Sequence, residues 1–446
     1  MANPSMALRL LDSLVSTEAL AAVFSDEAVL EAMTRFEVAL ARAEAEAGVI
    51  PHSAAETIER VASHGGFDAA AIARSARQSA TITIPFVEML TGMVRGANAE
   101  AATFVHWGAT SQDVSDTALV LCLVESERLI ARDHGRLAAA LRRLSEAHAD
   151  TAMLARTLLQ PAPPTTFGLK AAAWLAAADR GHARVTTAYR DACVLQFGGA
   201  SGTLAALGRL GPAVAAGLSQ KLQLPMPDAP WHSHRDRLAT LLAACGVYAG
   251  TLGKIARDIS LLMQHEVAEA HEPGGGSSSM PHKRNPAGCA IVLASANRLP
   301  GLVAGFLAGM VQEHERGVGG WQAEASTLAD AVQGTGSAVA ALADAVEGLR
   351  VDPDRMRSNI DATHGAVFAE RAMVLLAPAL GRERAGRIIA DNLARASRQR
   401  GFAQLIADDP QVQAALDAKV LETLGDATAY LGSADYFQRR LLKLND

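Results

Sequence analysis

From Val114 to about His148 the chain carries no proline, and Gly135 is the only weak point for a helix. Within that stretch Leu123, Ile130, Leu137 and Leu144 recur every seven residues. Such a repeat keeps one apolar seam turned toward a partner helix. At 1.5 Å per residue the helix is about 50 Å long. A rod of that length exceeds a compact domain and demands a bundle of long helices. A second stripe supports this reading. Val29, Met33, Phe36, Leu40, Ala43 and Ala47 follow helical spacing, and Gly48 and Pro51 supply a stop. Further long helices are expected over 166–192, 235–270, 286–315 and 323–348.

Composition narrows the fold class. Half of the 446 residues are hydrophobic, yet only 4% are aromatic. The core must therefore come from Ala, Leu and Val, and Ala and Leu favour helices. An all-β fold is excluded, and so is disorder, since only 20% of the chain is charged. The expected class is all-α: a central bundle of long helices over 106–350, flanked by smaller helical domains over 1–105 and 351–446. Asp352-Pro353 marks the second boundary. Long Ala-rich helices expose a wide apolar seam, and self-association covers it.

Charge and cysteines exclude several functions. With 41 basic and 47 acidic residues the net charge is −6, against the basic surplus of a nucleic-acid binder. Met1 to Leu20 lacks separate basic and apolar regions, and no continuous apolar run reaches about 18 residues. A cytoplasmic protein without a membrane span is expected. Cys122, Cys193, Cys245 and Cys289 stand far apart and read as reduced, buried thiols. His232 and His234 form an HxH without a third ligand nearby, and His265-Glu266 lacks the second His of HExxH, so no metal is expected.

The segment with most chemistry is Gly274 to Pro286, which reads Gly-Gly-Gly-Ser-Ser-Ser-Met-Pro-His-Lys-Arg-Asn-Pro. It offers many backbone N–H groups, hydroxyls, and the charges of Lys283 and Arg284. Asn285 suits an N-cap and Pro286 the first helical position, so the loop leads to a helix start that favours anions. By composition alone, a solvated linker is an equal reading. A second segment, His106-Trp107-Gly108-Ala109-Thr110-Ser111-Gln112-Asp113, opens the long helix. Thr110 and Ser111 stand where a carboxylate binds, or Ser111 or Asp113 simply caps the helix.

Gly276 to Pro286 resembles the G-S-S-x-M-P-x-K-x-N-P signature of the fumarase/aspartase superfamily. His106 to Asp113 is similar to that family's H-x-G-x-T-S-x-D segment. The resemblance implies that Ser277 is the catalytic base, acting as an alkoxide that exchanges a proton next to a carboxylate. A Ser hydroxyl is a poor base, so its anion needs nearby donors and positive charge. The resemblance further implies substrate binding by His106, Thr110, Ser111, Lys283 and Asn285, no cofactor, and a homotetramer whose sites are shared by three subunits.

Arg156 to Gly168 resembles the superfamily's R-T-H-x-Q stretch with one departure. Leu158 stands where related lyases carry a proton-donating His, while Gln160 is kept as a substrate ligand. Leucine transfers no proton, so either the chain is inactive or its leaving group is stable as an anion. A carboxylate, which ordinarily loses its proton at about pH 4, satisfies that; an amine or hydroxide does not. The departure points to the branch that closes a lactone on a carboxylated muconate. Phe197 to Leu204, Pro230 to Arg237 and Glu313 to Glu324 resemble that branch as well, which adds Arg235 and Arg316 as ligands of a tricarboxylate. An adenylosuccinate-lyase-like elimination releasing fumarate, and a non-catalytic scaffold, remain as alternatives.

Overall fold

The computed structural model describes residues 8–276 and 279–444. Helix α1, Asp26–Glu46, starts where the Ser25 hydroxyl accepts a hydrogen bond from Ala28 N–H. Met33, Phe36, Leu40 and Ala43 of the expected stripe are buried. Helix α2, Ser111–Ala147, spans 37 residues. Leu123, Ile130, Leu137 and Leu144 are all buried along it, so the heptad positions do form an internal seam. The remaining long helices are α3 (Phe167–Ala192), α5 (Asp236–Leu262), α6 (Ala287–Ala308) and α7 (Gly320–Glu347), with the shorter α4 at Gly211–Leu222. Each long one falls where periodicity places it, within several residues.

The structure is predominantly helical with little sheet. The exception is the segment after α2. There β1, Ala152–Thr157, pairs antiparallel with β2, Gln160–Thr166. Pro161, Pro163 and Pro164 cannot donate backbone hydrogen bonds, which suits a free-edged two-stranded ribbon better than a helix. A second pair joins β3, Ala270–His271, to β4, Arg350–Val351.

Contacts group the chain into two compact units rather than along the boundaries expected from sequence. One comprises 1–134, 181–253 and 291–341; the other comprises 135–180, 254–290 and 342–446. A division into consecutive stretches misses this because α2, α3, α5, α6 and α7 each supply residues to both units. In the first unit α1 packs on α4. In the second, short helices after Pro353 enclose a core of Ala372, Leu376, Ile388, Phe402 and Ile406.

Helices α5 and α6 have the length and composition to cross a membrane, an outcome that a search for an uninterrupted apolar run does not anticipate. In α5 the apolar window is 56% buried within the chain, as in a core helix, whereas in α6 it is 22% buried. The chain thus buries a smaller share of α6 than of α5.

Candidate active site

The start of α2 organises the first unit. Asp113, fully buried, accepts hydrogen bonds from the N–H of Thr110, Gly198 and Gly199 at 2.9–3.0 Å, and lies 2.7 Å from His232 Nε2. One carboxylate thereby caps the helix and ties two distant segments to it. Gly199 has φ +67°, and a Cβ there would lie 2.8 Å from the Gly108 carbonyl oxygen, so only glycine fits. His232 is committed to Asp113, while His234 is exposed. The two histidines do not present a joint pair of metal ligands.

One turn further, Arg235 occupies the centre of a buried ionic network. Its guanidinium donates to both oxygens of Asp116 at 2.8 and 3.0 Å and to Glu324 at 2.8 Å. It also sits 4.7 Å from the Trp231 ring centre. Trp321 Nε1 and Gln112 Nε2 donate to Asp116, and Gln312 Nε2 donates to Glu324. Burial pushes Glu324 above the usual carboxylate range even with Arg235 beside it. The expectation that Arg235 binds substrate is corrected here. Its side chain is 1% exposed and its donors serve Asp116 and Glu324, so it holds the scaffold under the site.

Arg316 behaves differently. It lies in the loop between α6 and α7, half-buried, and its guanidinium donates to the Thr110 hydroxyl at 2.7 Å and the Ser111 hydroxyl at 3.2 Å. No carboxylate pairs with it among the described residues, so a cation with two hydroxyls stands at the start of α2. Nearby in sequence, His106 has a left-handed backbone (φ +59°), and its Nδ1 lies 2.6 Å from Glu37 Oε1. Burial alone lowers the proton affinity of this imidazole. The charge and hydrogen bond of Glu37, with Asp113 behind them, outweigh burial and hold His106 above the ordinary histidine range. The structure thus brings Thr110, Ser111 and Arg316 together, while the His106 side chain pairs with Glu37.

Glu37 does not stand out by motif, although its sequence carries a signal. Glu37 and Glu44 share one face of α1 with Leu40, and all three are buried. Acids on a buried stripe demand partners.

In the second unit the Gly-Ser loop is closed at its base. Asn285 N–H donates to the Gly275 carbonyl at 2.7 Å, and Gly276 bridges Arg284. Gly275 (φ +68°) leaves no room for a Cβ, which would lie 1.9 Å from the Asn285 oxygen. Lys283 is exposed and Asn285 half-buried on this stem. Ser277, the expected base, and Ser278 lie outside the described residues. One expectation is overturned. The α6 N-terminus is not open to a substrate anion, because buried Glu272 accepts from Gly288 N–H at 2.7 Å and Cys289 N–H at 3.2 Å.

Leu158 and Leu159 are the two connecting residues of the β1–β2 hairpin, with φ of +50° and +65°, and both are exposed. Gln160 follows, also exposed. Near the turn the hairpin is anchored by Arg156, which forms a two-pronged contact to buried Glu269 at 2.7 and 2.9 Å, with Asn359 donating to the same carboxylate.

Residues 14–301 match the family model described as lyase, and 365–441 match the adenylosuccinate lyase C-terminus. The chain belongs to this lyase family, the fumarase/aspartase superfamily. Among its relatives, a 3-carboxy-cis,cis-muconate cycloisomerase of Bradyrhizobium diazoefficiens is 46% identical over 97% of both chains. The crystal structure of the 3-carboxy-cis,cis-muconate lactonizing enzyme of Pseudomonas putida superimposes with a TM-score of 0.93 at 43% identity, covering 98% of this chain and 99% of that one. The β-carboxy-cis,cis-muconate cycloisomerase of Acinetobacter calcoaceticus gives 0.92 at 35% identity, covering 98% and 100%.

Proposed function

We propose that this chain is a cycloisomerase that interconverts 3-carboxy-cis,cis-muconate and 4-carboxymuconolactone, a step in the breakdown of protocatechuate through β-ketoadipate. The 46% identity to the Bradyrhizobium cycloisomerase over nearly the full length of both chains carries this reading. The chemistry of the site agrees with it. One substrate carboxylate adds to the conjugated double bond and closes a γ-lactone. Negative charge develops on the carbon next to another carboxyl group, and Ser277 delivers the proton there; in reverse its alkoxide removes that proton. The leaving group of the reverse step is a carboxylate, so an acid at position 158 is not required.

Arg316, Thr110, Ser111 and His106 act as one set of carboxylate ligands, and Lys283, Asn285 and Gln160 supply others. Holding both reacting ends of one molecule contributes orientation, on the order of 7 kcal/mol or more in favourable cases. The reaction asks for no cofactor, since the substrate carries its own nucleophile. The working form is a cytoplasmic homotetramer with sites shared by three subunits, and the small buried share of the apolar helix α6 supports such association.

The test is loss of muconate absorbance on adding enzyme, run beside fumarate release from adenylosuccinate. The expected result is turnover of the first substrate alone. Ser277→Ala is expected to bind substrate and lose turnover by orders of magnitude. Fumarate release without muconate turnover overturns the reading.

A further inference from the structure

We propose that Glu37 is a positioning residue of this site: bonded to Nδ1, it holds the His106 ring charged and oriented, leaving Nε2–H as the donor to a substrate carboxylate. This rests on the functional reading above.

The geometry is that of a buried partner and a reachable ring. Glu37 is 1% exposed, the His106 side chain is 18% exposed, and they meet at 2.6 Å. Glu37 is the only hydrogen-bond partner of the ring among the described residues. His106 also keeps a left-handed backbone, which persists in a non-glycine residue only where surrounding contacts hold it. Four residues on stands Thr110, bonded to Arg316.

The protonation state decides what the ring does. As imidazolium, both nitrogens donate, one to Glu37 and one to a ligand. As neutral imidazole, the single proton stays at Nδ1 beside Glu37, and Nε2 becomes an acceptor that repels a carboxylate. The groups acting on the ring are Glu37 of α1 and Asp113 of α2. Asp113 already serves His232 and three backbone N–H groups, which leaves Glu37 as the direct counter-charge. Glu44 lies two turns further along α1, fully buried, with neither carboxyl oxygen hydrogen-bonded among the described residues. Burial, with the Glu37 charge behind it, pushes Glu44 up to about 9. Glu44 thus holds its proton more tightly than an ordinary carboxyl, and Glu37 is the member of the pair in contact with the ring.

The sign of the pH effect follows. The competent charged form exists below the His106 pKa and is lost as pH rises through it. Removing the Glu37 charge lowers that pKa, so the alkaline limb of kcat/KM moves to lower pH. The experiment measures that limb with 3-carboxy-cis,cis-muconate and titrates His106 in carbon-13-histidine-labelled intact enzyme by NMR. Glu37→Gln is expected to lower both by roughly one to three pH units. Glu37→Asp, which keeps the charge at shorter reach, shifts them less and serves if Glu37→Gln does not fold. Glu44→Gln leaves both in place. An unmoved limb and titration in the Glu37 variants, with rates reduced equally at every pH, make the contact merely structural and overturn the proposal. An equal shift from Glu44→Gln also overturns it, since the charge would then reside on Glu44. If the wild type fails to turn over the muconate, the functional reading fails, and the NMR titration alone decides the role of Glu37.

Discussion

Two helix starts in this chain look alike in sequence and differ in chemistry. Both follow a segment rich in small and hydroxyl residues, and both promise unsatisfied N–H groups for an anion. At α2, Asp113 takes the Thr110 N–H, and the Thr110 and Ser111 hydroxyls accept from Arg316. The Arg316 guanidinium itself bonds hydroxyls and, among the described residues, no carboxylate. At α6, Glu272 fills the helix start, accepting from Gly288 and Cys289 N–H. Burial and the neighbouring Glu272 charge push the Cys289 thiol above its ordinary range. Both starts hold an internal carboxylate, and the α2 start adds a guanidinium bonded to its hydroxyls. The identity of the residue that reaches in from elsewhere in the chain separates a binding site from a structural cap.

The largest effect expected from this contrast is at Arg316. Arg316→Ala removes a charge-assisted contact to a bound carboxylate, worth about 2–4 kcal/mol. A loss near the middle of that range lowers kcat/KM roughly 100-fold. Because Arg316 is half-buried and bonds only hydroxyls, the thermal midpoint should barely move. Undiminished activity would place the carboxylate elsewhere and remove the functional half of the contrast.

Glu272→Ala probes the other half. It leaves buried N–H groups without a partner, at a cost of about 1–3 kcal/mol, visible as a lower denaturant midpoint at unchanged slope. The vacated helix start then becomes an anion site. Sulfate should raise the melting temperature of the variant more than that of the wild type, which corrects for the general stabilising action of sulfate. Equal responses would mean that the α6 start was never sealed by Glu272.

This contrast also marks where the sequence is legible. Leu123, Ile130, Leu137 and Leu144 announce a long helix because apolar periodicity is a local property, and α2 is that helix. Thr110, Ser111 and Arg316 stand out from their motif segments, and the structure brings them together. Arg235 stands out by the same logic, yet it lies in a buried network. Motif membership does not say whether a guanidinium faces a ligand or Asp116. Glu272 carries no signal, since its role depends on a contact made sixteen residues later in the chain. The β1–β2 hairpin escapes a sequence reading because Leu158-Leu159 is an improbable two-residue turn, and the alternation expected of strands is broken by prolines.

That turn supports the smallest and most diagnostic prediction. Two-residue hairpin connections with both φ values positive favour Asn-Gly, because β-carbons crowd the backbone there. Leu158 and Leu159 also expose large apolar side chains, 97% and 75% accessible. Replacing the pair by Asn-Gly should therefore stabilise the protein by about 1–2 kcal/mol, read as a higher denaturant midpoint. A stabilising change that the chain does without points to a use for the leucines. Activity should fall as stability rises, the pattern of a strained element kept for function. If the variant gains stability and keeps full activity, the tip is only a strained connection. The contrast between the two helix starts then accounts for substrate capture without help from the hairpin.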